Sequence, residues 1–376
     1  MNESSLRIAY YCSSVSWGGL EMNTLRYAVW YIERGVYCHL YCVADSPLHE
    51  EVKKTKVPFT LVPRNKKYVA YGKAFRLSAL LKRDAIDVLI FSDNRDFSLL
   101  SLTKAFFHRS LKLVYYQAML LGISKKSLIH TWRFNRLDRW VTLLPFLEEQ
   151  VLERTRVKST LTQVIPLGTP TPLPSEKTKE ELRKELKLEP NNDWIGIVGR
   201  LDRQKGQLDA LHALALLRGE YGMNVGLAFI GEPTKNEGEA YLQELHDFIA
   251  ANQLQDSVVF CGHRSNPTAY LPAFIQLWVP SWNETYGTVT IEGMASEVPT
   301  LGANSAGTAA LINNTDALFE PKNPASIAAV SFSVYVNPDK KKAIVAHQQA
   351  EFKRLYSKEA SLNQWMKLIL DLKSQK

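Results

Sequence analysis

Long apolar runs are missing from this sequence. None of its 376 residues fall in an uninterrupted apolar stretch of the ~18 needed to cross a membrane, so no span is predicted. The opening residues, with Arg7 beside only a short apolar stretch, do not read as a signal peptide. Cysteine is scarce: Cys12, Cys38, Cys42 and Cys261 show no C-x2-C spacing for a metal, and the first three lie in strand-like apolar runs. Buried, reduced thiols are the natural reading, which suits a cytoplasmic protein. The G-x-G-x-x-G spacing of a dinucleotide fingerprint is absent, as is any D-x-D pair to hold a metal. There is no internal repeat and no low-complexity segment. What remains is the composition of a globular protein, 45% apolar and 22% charged, at a length that predicts two domains. The stretch Pro166–Glu176, with prolines at 166, 170, 172 and 174, reads as the linker between them.

Acidic residues are also missing locally. Residues 1–170 hold 25 Lys and Arg against 14 Asp and Glu, a net +11, whereas the remainder holds 21 against 24, a net −3. Ten basic residues lie between Glu51 and Asp84 with no acid among them, and seven more between Asp96 and Asp138. Phe59, Tyr68, Tyr71 and Phe75 interleave with the first group; Phe106, Phe107, Tyr115, Tyr116, Trp132 and Phe134 interleave with the second. Such mixtures suit the headgroup layer of an anionic membrane, an anionic glycan or nucleic acid. A solvated basic face over core aromatics is the plain alternative. No nucleic-acid-binding module is recognisable, so none is expected as a partner.

Strand-like and helix-like segments alternate throughout, which predicts parallel sheets covered by helices on both faces. Ligands then bind beyond the carboxyl ends of the strands. Leu6–Tyr11 reads as a strand entering a turn at Gly18-Gly19, followed by a helix to about Arg34 that Gly35 stops. The Gly pair lets backbone approach a ligand closely. Asp87–Phe91 ends in Asp93, Asn94 and Asp96, and Leu111–Tyr116 ends in Gln117. In the second half, Trp194–Val198 runs into the loop Gly199–Gly206. Its Arg200, Arg203 and Lys205 supply a planar fork and a mobile point charge, both suited to phosphate. Val258–Phe260 ends in His263 and Arg264, after a charged helix at Glu237–Ala251.

The segment Pro280–Gly307, PSWNETYGTVTIEGMASEVPTLGANSAG, is the most informative. Glu284 and Glu292 stand eight residues apart. Between them Gly287-Thr288 turns a loop into a helix, continued by Val289, Ile291, Met294 and Ala295. A helix start beside glycine offers free N–H groups and a positive dipole end to a phosphate. The carboxylates can accept hydrogen bonds from the neutral hydroxyls of a sugar or ribose. The ligand expected is phosphate-bearing and polyhydroxylated.

Here the chain resembles the retaining GT-B glycosyltransferases of family four (glycosyl transferases group 1). The resemblance rests on E-x7-E with its flanks, on the loop from Gly199 to Gly206 and on Gly18-Gly19-Leu20-Glu21. It implies an α/β fold of two Rossmann-like domains with a nucleotide-sugar cleft between them. These would be an N-terminal acceptor domain over 1–167 and a donor domain over 175–355, the last helix at about 356–372 packing back on the first. It implies metal-independent transfer of a hexose, with retention, from a nucleotide diphosphate sugar to a hydroxyl of a glycan or lipid-linked acceptor. UDP is favoured and GDP next. The setting would be polysaccharide or lipopolysaccharide synthesis in the cytoplasm, peripheral on the inner membrane face if the basic surface binds there.

Carried over residue by residue, Glu284 faces the transferred sugar and Glu292 the ribose. Arg200 and Lys205 meet the diphosphate together with Gly18, Gly19, Gly287, Thr288 and Val289, and His263 and Arg264 lie near the base. No cofactor is implied. Where family members often carry a His near the end of the strand Leu111–Tyr116, this chain has Gln117, so Asn94 and Gln117 become the sugar or acceptor candidates and Asp93 the candidate proton acceptor. The competing reading is a catalytically inactive GT-B-like protein that binds an anionic glycan or membrane.

Overall fold

A computed structural model describes residues 6–65, 71–172, 175–233 and 238–374. Tyr68, Pro174 and Glu237, singled out above, lie outside the described residues. The chain divides into two compact units. One holds the residues up to Leu167 together with those from Ser361 onward; the other holds Gly168–Ala360.

The first unit contains a seven-stranded, wholly parallel sheet made of β1 Arg7–Cys12, β2 Tyr37–Val43, β3 Phe59–Val62, β4 Val88–Phe91, β5 Lys112–Gln117, β6 Arg139–Thr142 and β7 Thr162–Val164. Their order is β3-β2-β1-β4-β5-β6-β7. The central strands are buried on both faces, Val88–Phe91 throughout, which is why they read as continuous rather than alternating apolar runs. The first helix, Gly19–Glu33, follows an extended Gly18. It ends in a Schellman motif: Gly35, at φ +79°, donates to Ile32 O at 3.0 Å and Val36 to Tyr31 O at 2.9 Å. The last helix, Lys358–Ser374, begins and ends about two residues later than expected. Its fully buried Trp365 meets the edges of Tyr27 and Tyr116, with ring centroids 6.2 and 5.1 Å apart.

The second unit has a six-stranded parallel sheet, β8 Asp193–Val198, β9 Val225–Ile230, β10 Val258–Gly262, β11 Gln276–Val279, β12 Thr300–Ala303 and β13 Leu318–Phe319, in the order β10-β9-β8-β11-β12-β13. Its leading helix, Lys179–Glu185, starts in a capping box in which Glu181 N donates to Thr178 Oγ1 and Thr178 N to Glu181 Oε2.

In both sheets the strand order reverses direction at one place, between β1 and β4 and between β8 and β11. Helices leave to opposite faces there, and the strand ends part to leave a crevice for a ligand. The loops at those four strand ends are Ser13–Gly18, Ser92–Asp96, Gly199–Lys205 and Pro280–Gly287. Among the described residues no helix is long and apolar enough to cross a membrane.

Candidate active site

The second unit's switch point is built by two loops locked together. Gly199 leaves β8 at φ +149° and Gly206 closes the loop at φ +73°. Between them Asp202 accepts from Gln204 N at 2.9 Å, and the buried Gln207 donates to Arg200 O at 2.8 Å. Gln204 O in turn accepts from Trp282 N at 3.3 Å and from Ser281 Oγ at 3.2 Å, tying this loop to the one after β11.

Gly206 is required by contact as well as conformation, since a Cβ there would lie 2.5 Å from Pro280 O. Gly206→Ala is therefore expected to lower stability by about 3 kcal/mol, combining the left-handed backbone penalty with the steric clash. Urea unfolding would measure it, and a loss under about 0.5 kcal/mol, the range of an ordinary surface change, would contradict the assigned loop packing.

Glu284 is placed by three contacts. Its carboxylate is ion-paired with the Lys205 ammonium. Its Oε2 accepts from Ser281 Oγ at 3.2 Å, and its backbone O accepts from Gly307 N at 2.9 Å. That last bond explains the small residues of the loop after β12. A Cβ on Gly307 would come within 2.8 Å of the Glu284 and Thr285 carbonyls, while Ser305 Oγ donates to Trp282 O at 2.9 Å. Gly287, at φ +78°, caps the helix Thr288–Ala295. Its first amides point out of the helix without i−4 acceptors. A pocket of about 160 Å³ opens here, lined by Gly199, Arg200, Lys205, Glu284, Thr288 and Val289 among others. It brings a guanidinium, an ammonium, a helix start and a carboxylate to one place, the combination that accepts a diphosphate beside hydroxyls.

Other expected residues stand apart from this pocket. Glu292 is half-buried on the second turn of the helix. His263 is exposed beyond β10, its N–H donating to Glu232 Oε1 at 3.3 Å, and the Arg264 guanidinium lies 5.8 Å from the Tyr270 ring centroid. Both share the sheet's carboxyl edge with the pocket without lining it.

In the first unit, Gly18 and Gly19 open the helix after β1 as expected. Two expectations there are corrected. Gln117 faces the core and not a ligand: it is 1% exposed, its Oε1 accepts from Trp140 Nε1 at 2.8 Å, and its Nε2 donates to Met119 O at 2.8 Å. Asp93 does not stand as a free base, because both its oxygens are held by the Arg95 guanidinium, at 2.5–3.1 Å, with Arg95 N donating to Oδ1 at 2.8 Å. Asn94 is exposed, its Oδ1 accepting from Tyr115 OH at 2.9 Å.

The residue the motifs underrated is Asp96. Wholly buried, it accepts from Ser13 Oγ at 2.5 Å, Ser13 N at 3.3 Å and Asn65 Nδ2 at 3.4 Å, so it fastens the ends of β1, β3 and β4 together. Burial pushes its carboxyl up to about 7, aided by the nearby Asp93 charge and opposed by the hydrogen bonds from Ser13 and Asn65. Its only sequence signal was its place after a strand.

A doubly wound switch point with a basic loop and a glycine-capped helix start is an arrangement suited to a phosphate-bearing ligand. The comparisons agree. Residues 178–350 match the family Glycosyl transferases group 1, so the resemblance stated from the motifs is shown over the region that carries the pocket. A glycosyltransferase from Rickettsia africae ESF-5 superposes with a TM-score of 0.84 over 99% of both chains at 18% identity. Anabaena Alr3699/HepE, solved in complex with UDP, superposes with a TM-score of 0.80 at 20% identity, over 97% of this chain and 100% of that one. These likenesses establish the GT-B fold.

Among curated proteins, the lipopolysaccharide core biosynthesis mannosyltransferase LpsB of Rhizobium meliloti is 28% identical over 34% of this chain and 35% of its own length. The capsular polysaccharide biosynthesis glycosyltransferase CapM of Staphylococcus aureus is 26% identical over 52% and 49%. The chain thus spans about half or less of the curated relatives it matches.

Proposed function

We propose that the protein is a retaining, metal-independent glycosyltransferase that moves a hexose from a nucleotide diphosphate sugar to a hydroxyl of a glycan or lipid-linked acceptor. The observation that carries this reading is the Lys205–Glu284 pair at the switch point, beside the glycine-capped start of the helix Thr288–Ala295. In the free protein each charge neutralises the other. A bound diphosphate draws the ammonium of Lys205 away, and Glu284 is released to accept hydrogen bonds from the sugar. Arg200, Lys205 and the Thr288 and Val289 amides then stabilise the charge gathered on the departing diphosphate. The bond from the anomeric carbon to the diphosphate oxygen breaks as the acceptor oxygen attacks from the same face. The acceptor's proton passes to the leaving oxygen, since Arg95 occupies Asp93. Glu292 is assigned to the ribose, and the base to the loop bearing His263 and Arg264.

The UDP-bound HepE structure supports UDP over GDP, and the biosynthetic roles of LpsB and CapM support a place in lipopolysaccharide or capsular polysaccharide synthesis. Acceptor recognition is assigned to the first unit. A thermal-shift panel of UDP-, GDP-, ADP- and dTDP-sugars with EDTA present tests the donor. The matching nucleotide at 100 times its Kd should stabilise the fold by about 2.7 kcal/mol, and no response to any of the four would overturn the reading. The buried Gln117 keeps one rival in play, an inactive GT-B-like binding protein. Stabilisation without transfer or donor hydrolysis would select that rival.

A further inference from the structure

We infer that one face of the first unit is a docking surface for an anionic phospholipid bilayer. Three segments distant in sequence meet there: the helix Tyr71–Arg83, the wide turn Thr103–Phe107 and the helix Leu128–Phe134. The helix Tyr71–Arg83 buries Ala74, Leu77 and Leu81, and presents Tyr71 and Phe75, one turn apart, to solvent. Tyr71 lies 5.8 Å from Phe106 between ring centroids, and Phe106 stacks on Trp132 at 6.4 Å. Leu128 stands one turn before Trp132, so the aromatic row continues as an aliphatic one. These side chains project into solvent: Phe75 is 62% exposed, Leu128 80% and Ile129 67%. Solvated surfaces seldom carry so many large apolar groups together.

Charge identifies the occupant. Arg76, next to Phe75, and Lys126, two residues before Leu128, are both exposed, and the Arg136 guanidinium sits 5.3 Å from the Trp132 ring centroid. No acid occurs between Asp96 and Asp138, or between Glu51 and Asp84. Protein–protein interfaces are depleted in lysine. A fringe of cations around protruding aromatic and aliphatic side chains matches a layer of lipid phosphates over acyl chains. The surface lies wholly within the first unit, so it stands or falls separately from the donor site proposed above.

Sedimentation with vesicles tests it, using phosphatidylglycerol mixed with phosphatidylcholine against phosphatidylcholine alone. The protein should bind the anionic vesicles only, and release as added salt shortens the screening length. Phe75→Ser with Leu128→Ser, and separately Arg76→Glu with Lys126→Glu, should each weaken binding at least tenfold, with unchanged melting points. The charge pair serves as the check if the apolar pair alters folding. Failure to bind at low salt would overturn the inference. So would binding unaffected by either pair, or capture by heparin or single-stranded DNA but not by vesicles.

Discussion

Lys205→Ala is expected to lower kcat/KM for sugar transfer by ~10²–10³-fold, the usual cost of removing a group aimed at transition-state charge. Its effect on the free protein should be small. Lys205 and Glu284 are both partly exposed, at 29% and 21%, and solvated ion pairs contribute only about 0–1 kcal/mol. The loss arises when a ligand arrives. Without the ammonium, the Glu284 carboxylate remains in a pocket that must take a diphosphate, so an attraction is replaced by a repulsion. Glu284→Gln makes the opposite change, removing the negative charge while leaving Lys205 in place. The two variants should therefore divide. Calorimetric titration with UDP should show binding lost in Lys205→Ala and kept or tightened in Glu284→Gln, while both transfer sugar poorly. Wild-type UDP affinity in Lys205→Ala would remove Lys205 from the phosphate site.

Asp96→Asn should change how stability depends on pH. An unfolded Asp titrates near 3.9, whereas burial lifts Asp96 to about 7 in the folded state. Between those values the native protein holds a proton that the unfolded chain has released. Stability therefore falls as pH rises from about 4 to about 7, by on the order of 4 kcal/mol for a shift of roughly three pH units, and the loss is complete above 7. Asparagine keeps the shape and cannot ionise. The variant should match wild type at about pH 4 and below and exceed it at pH 8, with the difference growing up to about pH 7. Urea midpoints from pH 4 to 8 would reveal it, and parallel profiles would show that Asp96 does not hold its proton. Ser13, Asn65 and the loop before Gly18 would feel the same charge, so ligand affinity measured over this range should change alongside stability.

The elements positioning the pocket were legible because each is announced locally. Glycines at 199, 206 and 287 mark positive backbone angles, and apolar runs mark the strands before them. Lys205 and Glu284 could be assigned to one ligand from their places after β8 and β11, although 79 residues separate them. Gln117 was misread because its fate is decided by Trp140, whose indole reaches it from the neighbouring strand β6. Nothing near position 117 signals that both ends of its amide are occupied. Asp96 illustrates the same limit: its partners Ser13 and Asn65 are 83 and 31 residues away. The motif Asp-Asn-Arg-Asp shows four polar residues alike, and only tertiary packing buries Asp93 and Asp96, the latter completely, and leaves Asn94 in water.

The division of the chain has a consequence for how the molecule is made. The first unit draws its closing helix from residues after Ser361, beyond the whole of the second unit. On a ribosome, the first sheet is synthesised first yet lacks the Trp365 cover for Tyr27 and Tyr116 until all six strands of the second have emerged. Domains ordinarily fold from the amino end during translation. Here the earlier domain keeps Tyr27 and Tyr116 without their indole partner through the translation of the later one, so its aromatic packing is completed only at the end of synthesis.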